Sequence, residues 1–253
     1  MISTPLTIAL VAADVGVTLL VVAVIAYVAL DERRTATRPA TAVFVFAAGF
    51  VVAWFVAILT LAHNGVFEVD RQTPFPPIIG FAIMAPIVWG SVLLALLPGY
   101  RARVARIPLH WLVRVQVLRV VGGLFLIAYL QDDMPAQFAL PAGIGDVLIG
   151  LSAPFVAHRL AKDGPQRARG AVLTWCALGM LDLVVAVSCG FLSAPSPIQQ
   201  LALDNPNAAI TSYPFVLIPT FAVPIAMLLH IYVIARLLAG RNAVAAPLGA
   251  RLA

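Results

Sequence analysis

Residues 107–130 read IPLHWLVRVQVLRVVGGLFLIAYL, an apolar stretch with two arginines, Arg114 and, at its middle, Arg119. A helix needs about 20 mainly apolar residues to cross the hydrocarbon core of a bilayer. The rest of the chain contains further stretches of the same length and character. We therefore predict an all-α fold, an integral membrane bundle of seven transmembrane helices near 6–30, 41–62, 78–98, 107–130, 139–161, 170–192 and 215–239.

The composition leaves little room for any other architecture. Of the 253 residues, 62% are hydrophobic and 11% are charged, which is far more apolar than a soluble domain. We predict one transmembrane domain over 1–253, without a separate soluble domain. Function must then be carried by side chains within the bundle or by the short loops at its two ends.

The charged loops predict an orientation. Basic residues follow the first, third, fifth and seventh predicted helices, namely Arg33, Arg34, Arg38, Arg101, Arg103, Arg106, Lys162, Arg167, Arg169, Arg241 and Arg251. The other loops are mostly acidic. By the positive-inside rule the N-terminus lies outside and the C-terminus in the cytoplasm. The net charge of +5 is scattered over these loops, so nucleic acid is not predicted as a partner. A single lysine among 16 basic residues suggests a GC-rich bacterial genome, and hence the bacterial inner membrane.

Two pairs of similar segments suggest an internal repeat. FPPIIGFAIMAPI at 75–87 and YPFVLIPTFAVPI at 213–225 share their proline spacing, and Asp14-Val15 matches Asp146-Val147. Three helices on each side of a linker helix would explain both matches.

In that plan, halves 1–98 and 139–240 are joined by the helix 107–130. Prolines and single aspartates also recur by chance in apolar helices, so two interpretations stay open, a repeat and a coincidence.

This three-plus-one-plus-three layout resembles that of microbial rhodopsins and SWEET-type transporters. A rhodopsin needs a lysine in its seventh helix for the retinal Schiff base, and this seventh helix has none, which argues against retinal. The segments RVQVLRVVGGLFLIAYLQ (114–131) and FALPAGIGDVLIGL (138–151) are similar to uncharacterised bacterial membrane proteins. That similarity implies no particular activity.

Ionisable residues within the apolar helices mark the candidate site. A charge at the bilayer centre costs about 2.5–3.5 kcal/mol on insertion scales, so each one needs a reason. Arg119 is expected near mid-membrane, paired with Asp146 or Asp182, and Gln116 and Gly123 should share its helix face. The predicted ligand or proton pathway comprises Asp14, Gln116, Arg119, Asp146, Asp182 and His230. The alternative is a set of ion pairs that only fix helix packing.

Two histidines raise the possibility of a bound haem, whereas the common catalytic and metal-binding motifs are absent from the sequence. His110 and His230 both fall in the cytoplasmic half, where a haem between two helices needs such a pair, although their spacing is no signature. The sequence contains no P-loop, HExxH zinc motif or GxSxG nucleophile elbow, so neither a catalytic residue nor a metal site is predicted.

Three functions remain open from the sequence. The leading hypothesis is a transporter of a small solute or ion, linked to protons, because buried ionisable groups in a short-looped bundle often mark such routes. An intramembrane haem or redox protein or enzyme is the second, and a sensor or accessory membrane subunit is the third. The sequence names neither the substrate nor the oligomeric state.

Overall fold

The computed structural model describes residues 4–33, 39–74 and 77–245, and this part of the chain is helical, without a β-strand. The α-helices in chain order are α1 (Thr4–Arg33), α2 (Pro39–His63), α3 (Ile78–Leu96), α4 (Pro98–Arg106), α5 (Leu109–Arg114), α6 (Gly123–Leu130), α7 (Ala136–Ser193) and α8 (Val223–Ala245). Val115–Gly122 and Ala209–Thr211 are 3₁₀-helices, and Ile218–Ala222 is a π-helix. The predicted all-α class is confirmed.

Within the described residues, four helical stretches are long and apolar enough to cross a membrane: Ile78–Leu96, Leu109–Leu130, Ala136–Ser193 and Ile218–Ala239. Many large apolar side chains on these helices face away from the bundle; Leu130 and Phe155, for example, are 78% and 76% exposed. Exposed apolar surface on this scale is typical of contact with lipid or a partner. These features are compatible with a location in a membrane.

α7 is two antiparallel helices joined at Gly164. The backbone of Gly164 has φ 77° and ψ 163°, a combination that side-chain-bearing residues rarely adopt. Pro165 then begins the next helix, because its missing N–H costs nothing in a first turn. The polar loop expected between 161 and 170 is therefore helical except at Gly164. We call 136–163 the first half of α7 and 165–193 the second half.

Two expected regular helices contain irregular turns. The predicted helix 107–130 is divided into α5, the eight-residue 3₁₀-helix Val115–Gly122 and α6. The predicted helix 215–239 starts with the π-helix Ile218–Ala222. Runs of 3₁₀-helix longer than about four residues are uncommon, and π-turns occur frequently at functional sites. These two segments line the site described below.

Small residues let the 3₁₀-helix lie directly against the first half of α7. A Cβ atom on Gly150 would lie 2.7 Å from the backbone nitrogen of Val120, and one on Gly143 would lie 3.2 Å from the backbone oxygen of Gly122. Glycine at both positions therefore permits backbone contact, as is common between membrane helices. Apolar clusters lie on either side of this contact, one around Phe125 and Phe138 and the other around Trp175.

At the Gly164 end, α4 is fastened to α8. The hydroxyls of Tyr100 and Tyr232 lie 2.6 Å apart in a hydrogen bond, and Arg236 donates to the carbonyl of Ile107 just beyond α4. Burial raises the pKa of Tyr100, so its hydroxyl keeps its proton at neutral pH.

Replacing Gly164 tests the backbone conformation that closes the α7 hairpin. Gly164→Ala should destabilise the protein by about 1–3 kcal/mol, because the new Cβ makes this φ and ψ unfavourable. The measurement is thermal unfolding in detergent. Gly170→Ala is the matched control, since a Cβ there meets no atom within 4 Å. Equal melting temperatures for the two variants would contradict the assignment of strain to Gly164.

Candidate functional site: a buried charge cluster

Arg119 lies at the centre of a buried charge cluster. Its Nε donates to Oδ1 of Asp146 at 2.7 Å, and its Nη2 donates to Oδ2 of Asp182. Nη1 donates to the carbonyl of Gly179 at 2.9 Å. The Arg119 side chain is 4% exposed, and those of Asp146 and Asp182 are 7% and 15% exposed. One guanidinium thus connects the 3₁₀-helix to both halves of α7.

His230 of α8 completes the cluster. It is fully buried, with Nε2 3.4 Å from Nη1 of Arg119. Because a guanidinium only donates, this contact makes Nε2 the acceptor and leaves the ring proton on Nδ1. Nδ1 has no hydrogen-bond partner among the described residues. The Trp175 ring packs 5.1 Å from the imidazole, and its Nε1 donates to Ser152 at 2.9 Å, which fixes the ring between the halves of α7.

The 3₁₀ geometry aligns the polar residues of the linker. With 3.0 residues per turn, positions three apart lie on one face. Gln116, Arg119 and Gly122 are accordingly all buried on the same side. A period of 3.6 predicted Gly123 on this face; the 3₁₀ period adds Gly122 to it, and a Cβ on Gly123 would lie 3.2 Å from Val147 of α7. Gln116 donates through Nε2 to the carbonyl of Ala226 at 2.9 Å, while its Oε1 has no partner in the described part of the chain.

Glycines make room for the three acceptor side chains. A Cβ on Gly122 would overlap the carboxylate of Asp146, and one on Gly145 would overlap that of Asp182. A Cβ on Gly179 would overlap the His230 ring and lie 3.2 Å from Nη1 of Arg119. The polar groups are therefore held against bare backbone, which keeps the cluster compact.

The cluster carries an uncompensated charge. Arg119 supplies one positive charge, whereas Asp146 and Asp182 supply two negative charges when both are ionised. A net charge in an apolar interior is costly unless it is paired. The arrangement therefore favours one further positive charge, which could be a proton or a bound cation.

Two cavities meet at Asp146. The larger, which we call the loop-side cavity, has about 600 Å³ of empty space. It extends from the loops after α2 and α7 to Asp146, and its lining includes Val69, Ser196 and Thr211 at the loops and Ile83, Phe138 and Phe191 deeper in.

The inner cavity has about 420 Å³ of empty space and is lined by Gln116, Arg119 and Asp146, together with apolar residues of α8. Asp146, Ile218 and Val223 line both cavities. The junction therefore lies between the carboxylate and the π-helix.

The chain after α7 folds over the loop-side cavity as an ordered cover. Asn207 is fully buried, and its backbone N–H donates to the carbonyl of Ser193 at 2.8 Å. The side-chain amide of Asn207 lies 3.4 Å from the Ser193 hydroxyl. The hydroxyl of Ser196 lines the cavity and has no hydrogen-bond partner among the described residues.

The structure brings together four of the sequence-predicted residues, Arg119, Asp146, Asp182 and His230, with Gln116 one turn away on the same face. Asp14 lies in α1, and its side chain is outside the described part of the chain. His110 is separate from the cluster and lies beside Trp111, with ring centroids 6.0 Å apart.

Sequence reasoning missed Gly122 and Gly145. A signal for both was present, because each lies within three residues of a buried charge in the chain.

Comparison with known proteins places part of this chain in a family. A family model described as a domain of unknown function, DUF8737, matches residues 76–238. The matched range contains every described member of the charge cluster and nearly all of the cavity lining. No curated protein and no solved structure matches the chain.

The charge balance predicts which substitutions the fold tolerates. Arg119→Gln should destabilise the protein by about 3–5 kcal/mol, because it leaves buried carboxylates without a counter-charge. Asp182→Asn should cost much less, since Arg119 and Asp146 still form a neutral pair. Thermal unfolding in detergent provides the comparison. If Asp182→Asn were as damaging as Arg119→Gln, geometry rather than charge would govern the cluster.

Gly179 tests the close contact with His230. Gly179→Ala should lower stability by about 1–3 kcal/mol through overpacking against the imidazole and guanidinium. The control is Gly190→Ala on the same half of α7, where a Cβ would lie 3.5 Å from Phe138 in ordinary contact. Both variants are compared by melting temperature, and equal values would mean that the His230 ring moves aside without cost.

Proposed function

This chain belongs to the DUF8737 family, and we propose that it is a multi-pass transporter of the bacterial inner membrane that moves a small solute or ion past a buried charge cluster. The observation that carries the proposal is that Asp146 lines both cavities and is also bonded to Arg119. A carboxylate reached from two cavities is suited to receive a ligand from one and release it to the other.

The proposed topology has seven transmembrane helices, counting α1, α2, α3, the α5–α6 stretch, both halves of α7 and α8. Basic residues of α4 and of the Gly164 turn then lie on the cytoplasmic side. The loop-side cavity consequently opens outward. A parallel repeat around the α5–α6 stretch remains a proposal within this topology.

Proton linkage follows from the charge count. A cluster with two carboxylates and one guanidinium is neutral only when it also holds a proton or another cation. Binding or release of that charge must accompany any change in the ligand held at Asp146. Gln116 and His230 belong to the same proposed pathway, together with Asp14 on α1.

Asp146 reached from one side only would favour a different function. The same cluster would then act as the binding site of a sensor, because a sensor needs a ligand-accessible cavity but no exit. The ordered cover formed by the chain after α7 is compatible with either function. Access from the two sides of the membrane therefore separates the candidates.

Cysteine accessibility tests the transport proposal without knowledge of the substrate. In a background with Cys176→Ala and Cys189→Ala, single cysteines are placed at Ala186 in the loop-side cavity and at Ala226 in the inner cavity. Ala186→Cys should react with a membrane-impermeant thiol reagent added outside. Ala226→Cys should react in inside-out vesicles, because both cavities must hold water in a transport cycle.

Two controls bracket this measurement. Asp204→Cys lies on an exposed loop and should react from outside, whereas Leu148→Cys, at a 63% exposed position on the outer surface of α7, should face lipid and stay unreactive. Labelling of Ala186→Cys alone would indicate the sensor. If neither cavity position reacts while Asp204→Cys does, the charge cluster only fixes helix packing.

A further inference from the structure

Resting on the proposed transport function, we propose that the substrate is a monovalent organic cation with an apolar body, whose ammonium group pairs with Asp146 in exchange for one proton. The proposal names a substrate class that neither the family description nor the charge cluster alone provides. Three features support it: the charge balance, the apolar cavity walls and the acceptor oxygens of Gln116 and Asp146 in the inner cavity.

The charge of the cluster sets the charge of the ligand. Arg119 is shared between Asp146 and Asp182, so one negative charge remains for a monovalent cation. With the cation on Asp146, Arg119 keeps its bond to Asp182, and the whole site is neutral. An anion would bring the protonated site to a net charge of minus one, and to minus two if the proton left, which is strongly unfavourable in a buried site.

The walls of the loop-side cavity set the body of the ligand. Apart from Asp146 and two hydroxyl residues near the loops, side chains such as Ile79, Phe125, Phe138 and Phe191 line it. A hydrated inorganic ion would leave these apolar walls in contact with water, whereas an apolar ligand body would bury them. The faces of the aromatic side chains also attract a cation.

Gln116 and Asp146, which both line the inner cavity, offer oxygen atoms that accept hydrogen bonds. Oε1 of Gln116 is buried without a partner among the described residues, in a side chain that is 1% exposed and lines the inner cavity with Asp146. Oδ2 of Asp146 is the carboxylate oxygen that Arg119 does not bond, because Nε of Arg119 donates to Oδ1. A primary ammonium, which has three N–H donors and no acceptor, complements such a pair.

The exchange balances in protons and charge. Without ligand, the carboxylate pair holds one proton; when the ammonium arrives, that O–H bond breaks and the proton passes to water. The pair consists of Asp146 and Asp182, from the two halves of α7. The other titratable or charged groups that face it are Arg119 from the 3₁₀-helix and His230 from α8. His230 already contacts Arg119, so the uncompensated charge resides on the carboxylates.

Three probes of one shape test the substrate class on the full-length protein in detergent. They are 2-phenylethylammonium, neutral 2-phenylethanol and anionic phenylacetate, with binding measured by calorimetry and proton release by an indicator dye in weak buffer. The cation should bind with release of about one proton, and its apparent affinity should rise about tenfold per pH unit while the site holds the proton. The other two probes should bind at least about tenfold more weakly.

Asp146→Asn should abolish both cation binding and proton release, and the Arg119–Asp182 pair keeps this variant neutral and able to fold. Asp163→Asn is the control, because this carboxylate pairs with Arg159 on the surface, away from the cluster. The probe series on the unaltered chain keeps the test valid if Asp146→Asn does not fold.

Equal binding of phenylacetate or phenylethanol, cation binding without proton release, or failure of all three probes would overturn the substrate class. The cysteine measurement decides the transport function separately, so the two failures are distinguishable.

Discussion

A single guanidinium shared between two carboxylates is the constraint on which the interior of this protein depends. Arg119 bonds Asp146 on one half of α7 and Asp182 on the other, and loss of the guanidinium would leave both carboxylates without a counter-charge in an apolar interior. The apolar clusters on either side of Arg119 do little to fix the alignment of the helices, because apolar contacts are not directional. The charge cluster therefore determines how the 3₁₀-helix and the two halves of α7 align.

The irregular helices follow from that constraint. A regular α-helix over 107–130 would turn Gln116, Arg119 and Gly122 away from a common line, whereas the 3₁₀ turn places them on one buried face. Glycines 122, 145 and 179 then remove the Cβ atoms that would separate backbone from carboxylate or imidazole. The π-helix before α8 lies at the junction of the two cavities. The departures from regular α-helical geometry thus lie mainly where the polar groups meet.

The sequence predicted the helical class and the residues of the cluster for a simple physical reason. The length of an apolar run can be read directly from the sequence. Charged residues within such runs are few, so Arg119, Asp146 and Asp182 are easily identified. Their convergence on one point depends on helix period and on contacts between distant segments, which composition does not encode. The sequence missed Gly122 on this face because an apolar pattern does not distinguish a 3₁₀-turn from an α-turn.

The turn at Gly164 shows a different limit. Its neighbours are polar and basic, and this composition predicted a loop between 161 and 170. The glycine-proline pair was the better signal, since glycine can leave one helix and proline can start the next. The six pathway residues remain a prediction as a functional set, because proximity alone does not distinguish transport from packing. Asp14 in particular depends on the proposed repeat.

Sharing of Arg119 between two carboxylates also provides a mechanical link for the proposed exchange. When a cation neutralises Asp146, the attraction between Asp146 and the guanidinium weakens. The guanidinium is then held by Asp182 and the Gly179 carbonyl on the second half of α7. A ligand shifts a conformational equilibrium only by its differential affinity for the two states. Here that difference is electrostatic and acts between two helices joined at Gly164. Occupancy of the site would therefore be transmitted to the relative position of the two halves of α7, which together with the π-helix border the junction between the cavities.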